Sequence, residues 1–158
     1  MATGTPATRV AQQAKIDYTL HEYAHEGIAE YGVEAARELG VAAERVFKTL
    51  VARTNDDRHV VGIVPVATQL DLKALAAAVD AKHADMARPA DAQRLTGYVL
   101  GGISPLGQKR RLPTVIDSSA TAFATLFVSG GQRGLEIELV PADLVRLTDA
   151  TLADIARW

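Results

Sequence analysis

Not one of the 158 residues is a cysteine. The chain can therefore build no disulfide, thiolate zinc site, iron–sulfur cluster or cysteine nucleophile. Whatever fold it adopts has to be held by a packed apolar core. A chain of this size can do that unaided, since domains of about 150 residues bury roughly two-thirds of the surface the unfolded chain exposes. A hydrophobic fraction of 48% and a charged fraction of 23% supply ordinary globular material. The 17 Lys and Arg against 19 Asp and Glu give a formal charge of −2. That balance provides no global footprint for nucleic acid, so an RNA partner has to be held by a local basic patch. Residues 1–10 lack the apolar stretch of a signal peptide. The longest apolar runs, such as Val60–Val66, are too short to span a bilayer. These features predict a single cytoplasmic domain over residues 1–158, with no membrane partner.

Helix and strand signals alternate along the chain. Thr5 caps a helix with Pro6 at its first position, and Ala7, Val10, Ala11 and Ala14 follow the spacing of one helical face. Tyr18–Tyr23 reads as a short strand and Ala24–Tyr31 as a loop. Val33–Leu39 reads as a short helix stopped by Gly40. Val46–Arg53, the turn residues Asn55–Asp57 and His59–Val66 predict a hairpin. Asp71 caps a helix that buries Leu72, Leu75, Ala76 and Val79, and Pro89–Leu95 is a further helix ending near Gly97. Thr114–Ile116 reads as a buried strand. Thr125–Val128 and Leu135–Val140 form a second hairpin about Gly130-Gly131, with Leu135, Ile137 and Leu139 inward. Pro141–Leu147 and Leu152–Arg157 read as closing helical turns. The expected class is α+β, with a mixed, partly barrel-like sheet surrounded by helices.

Familiar catalytic signatures are missing. There is no HExxH, no GxSxG elbow, no Walker A ending and no GxGxxG. His21 and His25 are four apart but fall on a strand and loop, where they share no face, so no metal or other cofactor is expected. Two features remain. In Phe47-Lys48-Thr49-Leu50, strand alternation puts Lys48 on the face of Val46 and Leu50. Such a lysine either snorkels to solvent at a sheet edge or sits in a pocket. The run from Gly97 to Arg111, GYVLGGISPLGQKRR, holds four glycines and a proline. It is either a plain connection or a loop whose N–H groups approach an anion closely. Lys109, Arg110 and Arg111 follow at once, and Arg133 in the second hairpin turn adds to the same possible basic rim.

With these motifs in order, the sequence resembles the YbaK/EbsC family of aminoacyl-tRNA deacylases, related to an editing domain of bacterial prolyl-tRNA synthetases. The resemblance spans essentially the whole chain. It rests on His21-Glu22-Tyr23 with His25, on Phe47-Lys48-Thr49-Leu50 and on Gly97-Tyr98. It rests above all on the nine residues Gly101–Lys109 (GGISPLGQK), and finally on Val128–Leu135. It is closest to the branch that deacylates Cys-tRNA(Pro). The resemblance implies a small α+β editing domain that hydrolyses the ester between a wrong amino acid and the tRNA 3′ end. Its partners would be that 3′ end and prolyl-tRNA synthetase, with no DNA.

Carried over by position, Lys48 matches the strand lysine near the terminal adenosine and Thr49 the pocket threonine. Tyr23 and Tyr31 match aromatic pocket positions, and Ser129 a polar one. Glu136 falls where some relatives have Asp and others a neutral residue. Gly101 and Gly102 match the glycine loop beside the scissile ester, where backbone N–H groups could stabilise an oxyanion. Lys109, Arg110, Arg111 and Arg133 are expected to face the acceptor stem. In the Cys-specific branch the substrate's own thiol is taken to attack its carbonyl, and a positioned water is the alternative. Release of alanine from tRNA(Pro), a broader aminoacyl-tRNA deacylase, or a module that binds RNA ends without cleavage are the competing readings.

Overall fold

The first helix opens on a capping box. In the computed structural model, which describes residues 4–24 and 31–158, with Tyr31 and Gly32 as backbone only, Thr5 Oγ1 accepts the Thr8 N–H at 3.1 Å and Thr8 Oγ1 accepts the Thr5 N–H at 2.9 Å. This closes the first turn of α1 (Pro6–Ala14), whose Ala7 and Ala11 are fully buried. There follow β1 (Tyr18–Glu22), α2 (Tyr31–Leu39), β2 (Phe47–Thr54), β3 (His59–Pro65), β4 (Gln69–Leu70), α3 (Leu72–Ala78), β5 (Ala84–Met86) and α4 (Pro89–Thr96). The second half contains β6 (Thr114–Asp117), β7 (Leu126–Ser129), β8 (Leu135–Leu139), α5 (Pro141–Thr148), β9 (Thr151–Ala153) and β10 (Ala156–Arg157). Both expected hairpins form, β2 with β3 and β7 with β8. The expected α+β class holds.

The strands make a five-stranded mixed sheet in the order β5-β2-β3-β6-β9, a three-stranded antiparallel sheet β1-β8-β7 and a two-stranded pair β10-β4. The β3–β6 and β6–β9 pairs are parallel. A bridge from Val46 to Phe127 ties the two larger sheets together, and they do not close into a barrel. From Val60 onward strand β3 is apolar and buried, with both its faces covered, the usual setting of an unbroken apolar run. Val61 and Ile63 join the main core with Phe47, Ile116, Leu126 and Ile137. Val60 and Val64 face a second cluster with Leu75, Val115 and Ile155 under α3.

One expectation fails. Leu152–Arg157 is not helical: it holds β9, parallel to β6, and β10, antiparallel to β4. The helix-like spacing of Leu152, Ile155 and Ala156 loses to tertiary bonds. The buried Asp117 carboxylate accepts the Ile155 and Ala156 N–H groups at 2.9 and 3.0 Å, and Asp71 N–H donates to Ile155 O at 2.8 Å. Those bonds fix the backbone as extended and seat Ile155 in the second core. The short strands β4 and β5 carry no periodicity long enough to read. The predicted loop Ala24–Tyr31, with His25, falls almost wholly outside the described residues.

Candidate active site

Strand β2 is only partly covered on its outer side. β5 pairs with Ala52–Thr54, and Ala87 N–H reaches Val51 O at 3.0 Å. Beyond that point Phe47–Leu50 have β3 on one side and, on the other, a cleft of about 850 Å³. Its walls come from the turn after β3, the β5–α4 junction, the glycine run and the β7–β8 hairpin. Because the cleft wraps a strand edge, residues from both faces of β2 border it. Lys48 lies on the side of Leu50, which packs in the second core, and Thr49 on the side of Phe47 and Val51, which pack in the main one. The sequence expectation for Lys48 is therefore met in its pocket form: it lines the cleft and is half-buried.

Thr49 is 7% exposed, and its Oγ1 has no hydrogen-bond partner among the described residues. An orphaned buried hydroxyl costs about 1–3 kcal/mol, which a ligand bonding to it would recover. Tyr23, Ser129 and Glu136 line the same cleft. Tyr31 opens α2, but its side chain is outside the described residues. Ser129 and Glu136 are directly paired across β7 and β8, and Ser129 Oγ accepts the Gly131 N–H at 3.1 Å.

Glu136 and Glu138 share one face of β8, opposite Leu135, Ile137 and Leu139, yet their environments differ. Glu138 accepts from Thr125 Oγ1 at 2.6 Å, meets His21 Nε2 at 2.8 Å and lies 3.6 Å from Arg45. These partners, Thr125 first, hold its carboxyl below the usual range. Glu136 is 6% exposed, and burial pushes its carboxyl up to about 8. Near neutral pH it is chiefly the uncharged acid, a hydrogen-bond donor inside the cleft. Burial first, and the nearby Glu136 second, push the Tyr23 hydroxyl up to about 12.

The two glycines divide their roles. Gly102 N–H donates to Val99 O at 3.0 Å, closing a turn whose third residue, Gly101, has φ +85°. A side chain there is strained, as at the glycine of a type II turn. The turn is braced by Arg133, which donates through Nε and Nη2 to Leu100 O at 3.2 and 2.9 Å. Gly102 N–H is thus already used, and Gly102 does not line the cleft, which corrects the expectation that both glycines offer donors. Gly101 does line it, and among the described residues its N–H has no protein acceptor. Gly102 is needed for packing: a Cβ there would sit 2.9 Å from Gln132 Cα and 3.1 Å from Gln132 C. Gly102→Ala is expected to push the glycine run off the β7–β8 turn. The cost is about 1–3 kcal/mol, read as a melting temperature lower by several degrees, with activity reduced alongside.

The basic cluster falls elsewhere. Lys109 and Arg110 donate their backbone N–H groups to Thr96 and Leu95 at the end of α4, and Arg111 borders a separate cleft of about 220 Å³. All three are exposed and off the main cleft; Arg133 alone of the four reaches its rim, through Leu100. Sequence reasoning also missed Gln69, Met86 and Pro89 as wall residues, because short strands and turns carry them there. Among the described residues, no cluster of three or more His, Asp or Glu could hold a metal, and no helix is long and apolar enough to cross a membrane.

The sequence of this mixed-sheet α+β domain matches the model of the aminoacyl-tRNA editing domain family. The model of that family matches residues 25–147, and the chain belongs to it. The chain is 37% identical over 151 residues to an Enterococcus faecalis protein with the provisional name Cys-tRNA(Pro)/Cys-tRNA(Cys) deacylase EbsC, covering 96% of this chain and 92% of that one. It is 29% identical to the multifunctional Ser/Thr-tRNA deacylase ProXp-y of Escherichia coli K12, over 84% of this chain and 81% of that one. Its fold superposes with a TM-score of 0.81 on a crystal structure described as a candidate trans-editing enzyme for prolyl-tRNA synthetase, at 23% identity, over 98% of this chain and 99% of the other.

Proposed function

We propose that residues 1–158 form one editing domain that acts in trans, removing cysteine wrongly joined to tRNA(Pro), with prolyl-tRNA synthetase as its partner. The observation that carries this reading is the cleft: Lys48, Thr49, Gly101, Ser129 and Glu136, scattered over the sequence, border one space. Its size suits a small ligand such as an aminoacylated adenosine. An aminoacyl ester is already activated, so the site needs position and charge rather than a nucleophile of its own. Lys48 holds the adenosine or a phosphate as a point charge, and Gly101 N–H donates to the developing oxyanion. The attacking atom is either the substrate thiol or a water. In the first case sulfur bonds to the carbonyl carbon, the ester C–O bond breaks, and the thiol proton passes to the ribose oxygen. In the second, water cleaves the ester directly. Esters of cysteine and of 2-aminobutyrate separate the two routes, because equal rates mean water.

A second reading is favoured by the orphan Thr49 hydroxyl, which would bond a substrate side chain bearing its own hydroxyl, such as serine or threonine. A panel of mischarged tRNAs, with and without prolyl-tRNA synthetase, decides between them. Cysteine on tRNA(Pro) is expected to be released fastest. Rapid release of alanine, serine or threonine with cysteine spared would overturn the assignment. Tight binding with no turnover of any substrate would make the domain a binding module.

A further inference from the structure

Trp158 is the only tryptophan of the chain, and 72% of its surface is exposed. It follows β10, which is held rigidly: Asp117 takes the Ile155 and Ala156 N–H groups, and β4 pairs Ala156 with Leu70 and Arg157 with Gln69. The indole directly follows this fixed strand and is presented to solvent. The strand also touches a residue of the cleft wall. Arg157 Nη2 donates to Gln69 Oε1 at 3.3 Å, and Gln69 is a wall residue of the cleft. Ala156 packs in the same apolar cluster as Leu50, so β10 lies on the side of β2 that carries Lys48. No carboxylate pairs with Arg157 among the described residues, whereas Arg88 and Arg94 are both paired with Asp91. Its fork keeps further N–H donors for an anion.

We infer that Arg157 and Trp158 carry the unpaired nucleotides leading into the cleft, Arg157 on a backbone phosphate and Trp158 stacked on a base. This rests on the deacylase reading above. An ester at the tip of an RNA strand enters the cleft, and the unpaired nucleotides behind it leave at the mouth, presenting phosphates and open base faces. A cation beside an exposed aromatic is what single-stranded RNA asks of a protein. Lys109–Arg111, expected to face the acceptor stem, lie off the cleft.

Because Trp158 is the sole tryptophan, emission of the full chain reports on it alone. Titration with an uncharged acceptor-stem minihelix ending in single-stranded ACCA is expected to quench that emission saturably. Arg157→Ala should shift the midpoint upward and make its salt dependence shallower, as loss of one phosphate contact requires. Trp158→Ala should raise KM for deacylation at least about fivefold, as loss of one stacked base implies, with kcat within twofold and Trp158→Phe restoring most of the loss. Emission unchanged while the minihelix slows deacylation competitively would overturn the inference, as would emission that responds to the synthetase and not to RNA. A chain that hydrolyses no mischarged tRNA but still shows the quench would refute the deacylase reading and leave the RNA platform standing.

Discussion

Replacing Lys48 with alanine is expected to lower kcat/KM for deacylation about 100-fold or more, the scale on which lost positioning acts, with little change in melting temperature. The fold should tolerate the change because Lys48 is only half-buried and stands on the open edge of β2, while the residues flanking its strand, Phe47 and Val51, supply the core contacts. The activity should not tolerate it. Among the described residues, Lys48 and Glu136 are the only Lys, Arg, Asp or Glu in the cleft wall, and Glu136 is chiefly uncharged near neutral pH. Lys48 is then the one cation that the described residues bring to the wall. Lys48→Met keeps the aliphatic stem and removes the charge, so it separates packing from electrostatics. Equal loss in both variants assigns the effect to charge. Wild-type turnover in the Met variant would remove Lys48 from the mechanism.

How far the sequence foretold this site depended on the range of the interactions that build it. Thr5 with Pro6, Asp71 and Gly97 act within one turn of helix, and their elements begin and end where local chemistry says. The alternation of β2 correctly put Lys48 on the side of Leu50. It did not reveal that β5 stops covering β2 at Ala52, which is what opens the cleft. Gly101 and Gly102 are adjacent and look alike in sequence. Only the Val99–Gly102 bond and the Gln132 backbone against Gly102 make one a candidate donor and the other a packing residue. The basic run at Lys109–Arg111 was legible as charge but not as direction. Strand β10 was misread because Asp117, almost 40 residues earlier in the chain, decides its conformation. Glu136 and Glu138 are likewise equivalent in any local pattern, and only their neighbours in space set them apart.

Glu136→Gln is expected to remove a pH dependence of stability that the wild-type protein carries. The buried carboxyl keeps its proton up to about pH 8, whereas an ordinary glutamate loses it near 4.5. Between those values the native state binds more protons than the unfolded chain, so the contribution of this group to stability falls as pH rises. It is fully present below about 4.5 and exhausted above about 8, where the native state must bury a carboxylate. Each unit of displacement corresponds to about 1.4 kcal/mol, so the total is a few kcal/mol, large for a domain of this size. Glutamine preserves shape and a donor group without titrating. The difference in unfolding free energy between variant and wild type should therefore grow steadily from pH 5 to 8 in favour of the glutamine protein and then level off. Groups other than Glu136 are common to both proteins and cancel in the difference. The same substitution should hold KM steady above pH 8, where the wild-type cleft acquires a negative charge beside the ester and binds it less well. Parallel stability curves across that range would mean that Glu136 is ionised at neutral pH, and the cleft would then hold a buried carboxylate.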